Sequence, residues 1–294
     1  MAMAAFLVSA LLVAATAAFH LLKGRRDALV KKSFSMAMWM ILALAPLQMF
    51  VGDMHGLNTL EHQPAKLAAM EGHWETNKDH GMPLYLFGIP DMEAEETKYA
   101  IGIPNLGSLI MTHTLDGEVK GLKEFAPEDR PNSLVVFWSF RIMVGLGVLM
   151  ILMAVLGAWL RKTDKFYDSV WLHRFALYMG PSGFIALLAG WFTTEVGRQP
   201  WVVYGVLRTK DTLSPVSAEQ VGLTLIIFVM VYFIVFGVGI LYMLKLMRKG
   251  PEFIHSAPHS EQAVRQASKR PLSTIDDEND LNKENPKQDQ ENQK

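Results

Sequence analysis

Apolar residues in this 294-residue chain gather into long blocks separated by charged segments. Five blocks, Ala2–Leu22, Ser33–Val51, Leu134–Trp159, Trp171–Phe192 and Val221–Leu246, carry few ionisable residues. Each is long enough to cross a hydrocarbon core of roughly 30 Å, which takes about 20 helical residues. Lipid offers no partner to a backbone N–H or C=O, so helices, which satisfy their own hydrogen bonds, are the expected elements. The pattern predicts an all-α, polytopic membrane protein with five transmembrane helices and a long outer loop. The first block lacks a basic start and a small-residue cleavage site, and its positive charges follow the apolar stretch, so it reads as a retained span and not a signal peptide.

The polar segments set the orientation. Lys23, Arg25, Arg26, Lys31 and Lys32 join spans one and two; Arg161, Lys162, Lys165 and Arg174 surround the join of spans three and four; Lys245, Arg248 and Lys249 close span five. The positive-inside rule puts all three groups in the cytoplasm, and five spans make that consistent. The N-terminus and the Gly52–Ser133 loop are then outside. The chain divides into a first helical pair (1–53), an outer loop (54–133), three further helices with a GRQPW motif (134–249) and a polar tail (250–294), which should be disordered and cytoplasmic because it has nothing to bury. An odd number of spans without a repeat argues against an inverted-repeat transporter.

Within the outer loop, PAKLAAMEGHWET (Pro64–Thr76) sets Leu67, Met70 and Trp74 at helical spacing among Lys66, Glu71 and Glu75. It predicts an amphipathic helix lying on the membrane surface. FGIPD (Phe87–Asp91) and IGIPN (Ile101–Asn105) read as turn-like pieces. A loop of about eighty residues is too long to be only a connector. Two readings are open: a folded cap, or a site for an amphiphile arriving from the bilayer.

Composition narrows the chemistry. No cysteine is present, which excludes disulfides, zinc–cysteine sites, iron–sulfur clusters and thiol nucleophiles; nine His and eighteen Met leave imidazole, thioether and carboxylate as ligands. A net charge of -1 gives no footprint for nucleic acid. Span three opens with FWSFRIM, which puts Arg141 and Met143 in its first turns, where an arginine can snorkel and a methionine can fill space. Span four closes with Trp191, Glu195 and Arg198 at steps of four and three, on one helical stripe. A carboxylate there is costly and points to function, although a bracing Glu195–Arg198 ion pair is the plainer alternative. Pro181, with Gly180 and Gly183, predicts a kink in the same span. His20 and His173, beside the basic segments, read as solvated or interfacial, and His55, in GDMHGLN, lies at the outer boundary.

The segments HLLKGRRD, KLAAMEGHWET, FGIPD, SFRIM and GWFTTEVGRQPW, which follow one another in the family's order, together resemble subunit I of the cytochrome bd-type quinol oxidases over about Ala2 to Gly250. The short loop between Glu75 and Arg141 is similar to the short-loop, cyanide-insensitive branch. The resemblance implies that Met143 ligates a low-spin haem b whose reduced form Arg141 stabilises. It implies Glu195 as ligand of a high-spin haem b, Trp191 between haems, and Arg198 as a propionate partner. It also implies that Lys66 and Glu71 act in a quinol-oxidising loop.

The implied partners are ubiquinol or menaquinol, O2, an oxidase subunit II and the bacterial inner membrane, with haem d or a further haem b at the oxygen site of the complete complex. Family members have about nine spans and this chain matches the last five. The expectation is therefore a portion that is inactive alone, either a split-gene product completed by a separate N-terminal chain or a truncated reading. The rival class is a haem-free membrane protein, whether transporter, assembly partner or non-functional remnant.

Overall fold

The fold comes from a computed structural model that describes residues 2–77, 81–212 and 216–249; the tail expected to be disordered lies outside them. The elements run α1 (Ala2–Leu22), α2 (Ala28–His62), α3 (Pro64–Glu71), β1 (Leu84–Asp91), β2 (Glu96–Ile103), α4 (Leu106–Thr112), α5 (Ser133–Lys162), α6 (Val170–Met179), α7 (Ser182–Arg198), β3 (Trp201–Val203), β4 (Leu207–Arg208) and α8 (Ala218–Lys249). With α6 and α7 taken as one crossing, five helical segments are long and apolar enough to span a membrane. The protein is all-α and polytopic, and its strands are confined to two small hairpins.

Small residues bring the first helices together. Ala10, Ala14, Ala17 and Ala18 of α1 are buried against Phe34, Ile41, Met153 and Leu172 from α2, α5 and α6. In lipid no hydrophobic force drives this association, so close backbone approach and dispersion carry it. No residue of α8 is buried against the rest of the described chain.

Four sequence readings change. Span two does not end near Val51 but continues as helix to His62, because the polar residues after Val51 remain compatible with helix once outside the apolar layer. His55 therefore sits exposed on that extension. Span four is more than kinked: α6 stops at Met179 and α7 starts at Ser182, with Pro181 at the break. FGIPD is strand throughout, and IGIPN is strand as far as Ile103 and turn only at Pro104 and Asn105. They contribute to β1 and β2, which pair antiparallel with irregularities between Tyr85 and Ile89. The turn itself is built by Asp91, whose Oδ1 accepts from Glu93 N at 2.9 Å and Ala94 N at 3.1 Å and whose Oδ2 accepts from Lys98 Nζ at 2.7 Å. These bonds to the ionised form hold its carboxyl at about 2.

The fourth change concerns histidines. His20 and His173 are not solvated: both are buried, with Nε2 against Met247 O at 2.9 Å and Phe166 O at 3.2 Å respectively. Each serves as a packing group that satisfies a backbone carbonyl across elements.

Candidate functional site

The amphipathic segment is shorter than its spacing predicts and does not lie on a surface. Helix α3 ends at Glu71, with Gly72 in the left-handed region at φ 70 and its N–H returned to Ala68 O and Ala69 O. Every residue from Ala65 to Glu71 is buried, since α5, α7 and the rest of the outer loop pack around the helix. A side chain at Gly72 would place Cβ 2.9 Å from Phe137 Cδ2, so glycine both turns the chain and admits α5. Ser133 Oγ of α5 donates to Ala69 O at 3.2 Å, and Asn132 caps α5 by accepting from Val135 N at 3.2 Å.

Glu71 and Arg141 meet here. Arg141 Nη2 lies 2.8 Å from Glu71 Oε2 in a pair whose side chains are 11% and 1% exposed. The same guanidinium donates from Nε to Tyr85 O at 2.9 Å, from Nη2 to Tyr85 O at 2.6 Å and from Nη1 to Met70 O at 2.5 Å, and it lies 4.1 Å from the Phe137 ring centre. Glu71 Oε1 is buried without a hydrogen-bond partner among the described residues. A buried acceptor on a charged group is expensive to leave idle.

Two residues that the sequence reading passed over complete this cluster. His73 is buried, with Nε2 2.8 Å from Pro83 O and its ring stacked on Tyr85 at 4.7 Å and 13°. Burial lowers the His73 pKa, and the nearby Arg141 charge adds to this, while the Pro83 bond and Glu71 work against it. Burial likewise raises that of the Tyr85 hydroxyl. His73 was legible as the imidazole two places after Glu71. Tyr85 gave no signal, because it serves Arg141 through its backbone carbonyl.

Lys66 points elsewhere. Five residues from Glu71, it sits about 140° around α3 and packs on α7: a Cβ at Gly197 would lie 3.0, 3.2 and 3.4 Å from its Cγ, Cε and Cδ. Burial, then the charge of Arg198, lower its pKa, with Glu195 opposing. Two turns earlier on α7, a Cβ at Gly190 would lie 2.8 Å from Met143 Sδ. One glycine-notched face of α7 thus receives Met143 from α5 and Lys66 from α3.

The remaining site residues lie on α7. Glu195 Oε2 and Arg198 Nη2 form the ion pair that the sequence left open, with side chains 39% and 45% exposed. Trp191 is exposed, next to Phe192 at 5.3 Å between ring centres.

Among the described residues no three His, Asp or Glu side chains converge on a bare metal ion. The donors do suit a haem. Met143 is partly exposed on α5, and a side chain at Gly147, one turn further on the same side, would meet nothing within 4 Å, which leaves open space next to the thioether. Glu195 offers a carboxylate at the open end of α7. A thioether ligand favours reduced iron and raises its potential.

The family model for cytochrome bd terminal oxidase subunit I matches residues 1–251. The chain is 35% identical over 260 residues to cytochrome bd ubiquinol oxidase subunit 1 of Bacillus subtilis, covering 84% of this chain and 55% of that protein. It is 28% identical over 331 residues to cytochrome bd-II ubiquinol oxidase subunit 1 of Escherichia coli, covering 90% and 63%. Among solved structures, the bd oxidase from Geobacillus thermodenitrificans superposes with a TM-score of 0.75 at 32% identity, over 85% of this chain and 56% of that one. The chain spans between about half and two thirds of the length of these relatives. With its five apolar helices, it is a multi-pass bacterial membrane protein and belongs to the cytochrome bd terminal oxidase subunit I family.

Proposed function

We propose that this chain forms the quinol-oxidising outer face of a quinol:oxygen oxidoreductase that generates proton motive force, with the Gly52–Ser133 loop and N-terminus outside and the tail in the cytoplasm. One observation carries the reading: Glu71 holds one oxygen on Arg141 while its other, Oε1, is buried and unpartnered. An acceptor in that state suits an incoming phenolic O–H, which it can deprotonate. Lys66, its ammonium form disfavoured by burial, contacts a quinol oxygen from the α7 side. Both groups belong to the outer loop, so protons taken from quinol leave outward.

Met143 would hold a low-spin haem b and Glu195 a high-spin haem b, with Arg198 toward a propionate and Trp191 between them; bound haem supplies one-electron acceptance from quinol. Oxygen reduction at haem d or a further haem b, and pairing with a subunit II, belong to the complete oxidase. Electrons that enter from the outer side while oxygen draws protons from the cytoplasm separate charge without a pump.

The test is quinol-dependent reduction by the complex carrying Glu71→Gln or Met143→Leu. Loss of quinol oxidation in the first and an altered low-spin haem b band in the second support the reading; wild-type behaviour in both overturns it. A haem-free role draws on the Glu195–Arg198 ion pair, and a pyridine haemochromogen assay on the natural complex separates the two.

A further inference from the structure

The resemblance assigns Arg141 to the haem, yet every bond it makes goes to the outer loop. A guanidinium has five N–H donors. Four of them are spent on Tyr85 O (twice), Met70 O and Glu71 Oε2, and its flat face covers Phe137. Those partners come from β1, from the last turn of α3 and from the helix that carries Arg141 itself. Arg141 therefore fixes the end of α3 and the start of β1 relative to α5, and in doing so decides which oxygen of Glu71 is bound and which is free.

We propose that Arg141 is a positioning residue for quinol oxidation: it orients the Glu71 carboxylate so that Oε1 alone faces the quinol hydroxyl. This rests on the reading of Glu71 as proton acceptor. Geometry carries it. The guanidinium plane is set by three backbone-directed bonds before Glu71 is considered, so the fork offers Nη2 to Oε2 in a fixed direction, and nothing competes for Oε1. The proton balance is simple. The quinol O–H bond breaks, its hydrogen goes to Oε1, and Glu71 becomes neutral while still accepting from Arg141 at Oε2. Arg141 remains charged throughout.

The charged and titratable groups around Glu71 are few. Arg141 reaches it from α5; His73, beyond the Gly72 turn, feels both Glu71 and Arg141; Tyr85 stacks on His73 from β1; and Lys66 shares α3 but faces α7. His73 is buried with its Nε2 on Pro83 O, so Arg141 is the cation that acts on the carboxylate.

Lysine at this position keeps the charge and loses the fork, whereas glutamine keeps hydrogen bonding and loses the charge. In the complete complex, Arg141→Lys should raise KM for quinol about tenfold while kcat changes less, because the charge stays and the two-armed hold on Tyr85 O and Glu71 Oε2 is lost. Arg141→Gln should lower kcat as well, and Arg141→Gln/Glu71→Gln should be no worse than Glu71→Gln alone.

Native kcat and KM in a folded, haem-loaded Arg141→Gln complex, or in Arg141→Lys an unchanged KM if the glutamine variant does not assemble, overturn the proposal. So does a change confined to the haem b midpoint potential. The underlying reading fails separately: if Glu71→Gln oxidises quinol as the native protein does, Glu71 is not the acceptor. If Glu71→Gln is inactive and the Arg141 variants keep native kcat and KM, only the positioning role falls.

Discussion

Gly197→Ala isolates the placement of Lys66 from the stability of the fold. The added methyl would lie 3.0 Å from Lys66 Cγ, 3.2 Å from Cε and 3.4 Å from Cδ, whereas carbon pairs rest at about 3.5–4.0 Å. The lysine stem must give by about half an ångström. Overpacking of this kind costs about 1–3 kcal/mol, with the low end appropriate because the obstructing atoms belong to one flexible chain. Alanine in place of glycine returns up to roughly 1 kcal/mol inside a helix, less at the next-to-last residue of α7. The two terms nearly cancel, so Tm should stay within about 2–4 °C of the native value.

Function should respond differently. The Lys66 amine moves with its stem, and a misplacement of about 1 Å can cost up to 10²-fold. We expect kcat/KM for quinol to fall about tenfold, equivalent to about 1.4 kcal/mol. The assay is steady-state quinol oxidation by the purified complex, paired with thermal unfolding. Native kcat/KM at native Tm would refute the packing of Lys66 across Gly197.

Gly190→Ala makes the parallel test at Met143: the Cβ would sit 2.8 Å from Sδ, so the low-spin haem b absorption should shift or weaken while Tm changes by no more than about 2–4 °C. The outer loop should weaken in acid through His73. Its folded pKa lies below the usual 6.5 because burial favours the neutral ring. Stability is therefore fully present above about pH 6.5 and is lost as pH falls through the depressed value. Hydrogen exchange in Leu84–Ile103, corrected for intrinsic rates, should reveal this, and His73→Gln should flatten the dependence. Asn132→Ala removes the α5 cap and should cost about 1 kcal/mol, measured as faster exchange in the first turn of α5.

The membrane-spanning layout was readable in the chain because hydrophobic length is a local property: a helix in lipid must satisfy its own backbone, so a block of sufficient length announces itself. A disturbance at Pro181 was legible for the same reason, since a proline acts on its own turn, although a kink was expected and the helix breaks. The outer loop was not legible at that level. Its helical spacing around Leu67 and Met70 predicted an amphipathic surface helix, but neighbours distant in sequence bury all sides of α3. The pieces Phe87–Asp91 and Ile101–Asn105 looked turn-like, and pairing between the chain on either side of Asp91 drew the first wholly, and the second as far as Ile103, into a hairpin.

The site divides in the same way. Sequence alone picked out the chemical groups, because a carboxylate, an arginine or a thioether beside apolar residues is unusual wherever it folds, and the motifs carrying them identify the family. It put Lys66 with Glu71 and Arg141 with Met143, as neighbours along their helices. Only the tertiary structure turned Glu71 to Arg141 across 70 residues and Lys66 and Met143 onto the glycines of α7. Those pairings depend on which helix faces pack together and where the absence of a side chain lets them approach, and neither is encoded within a single segment.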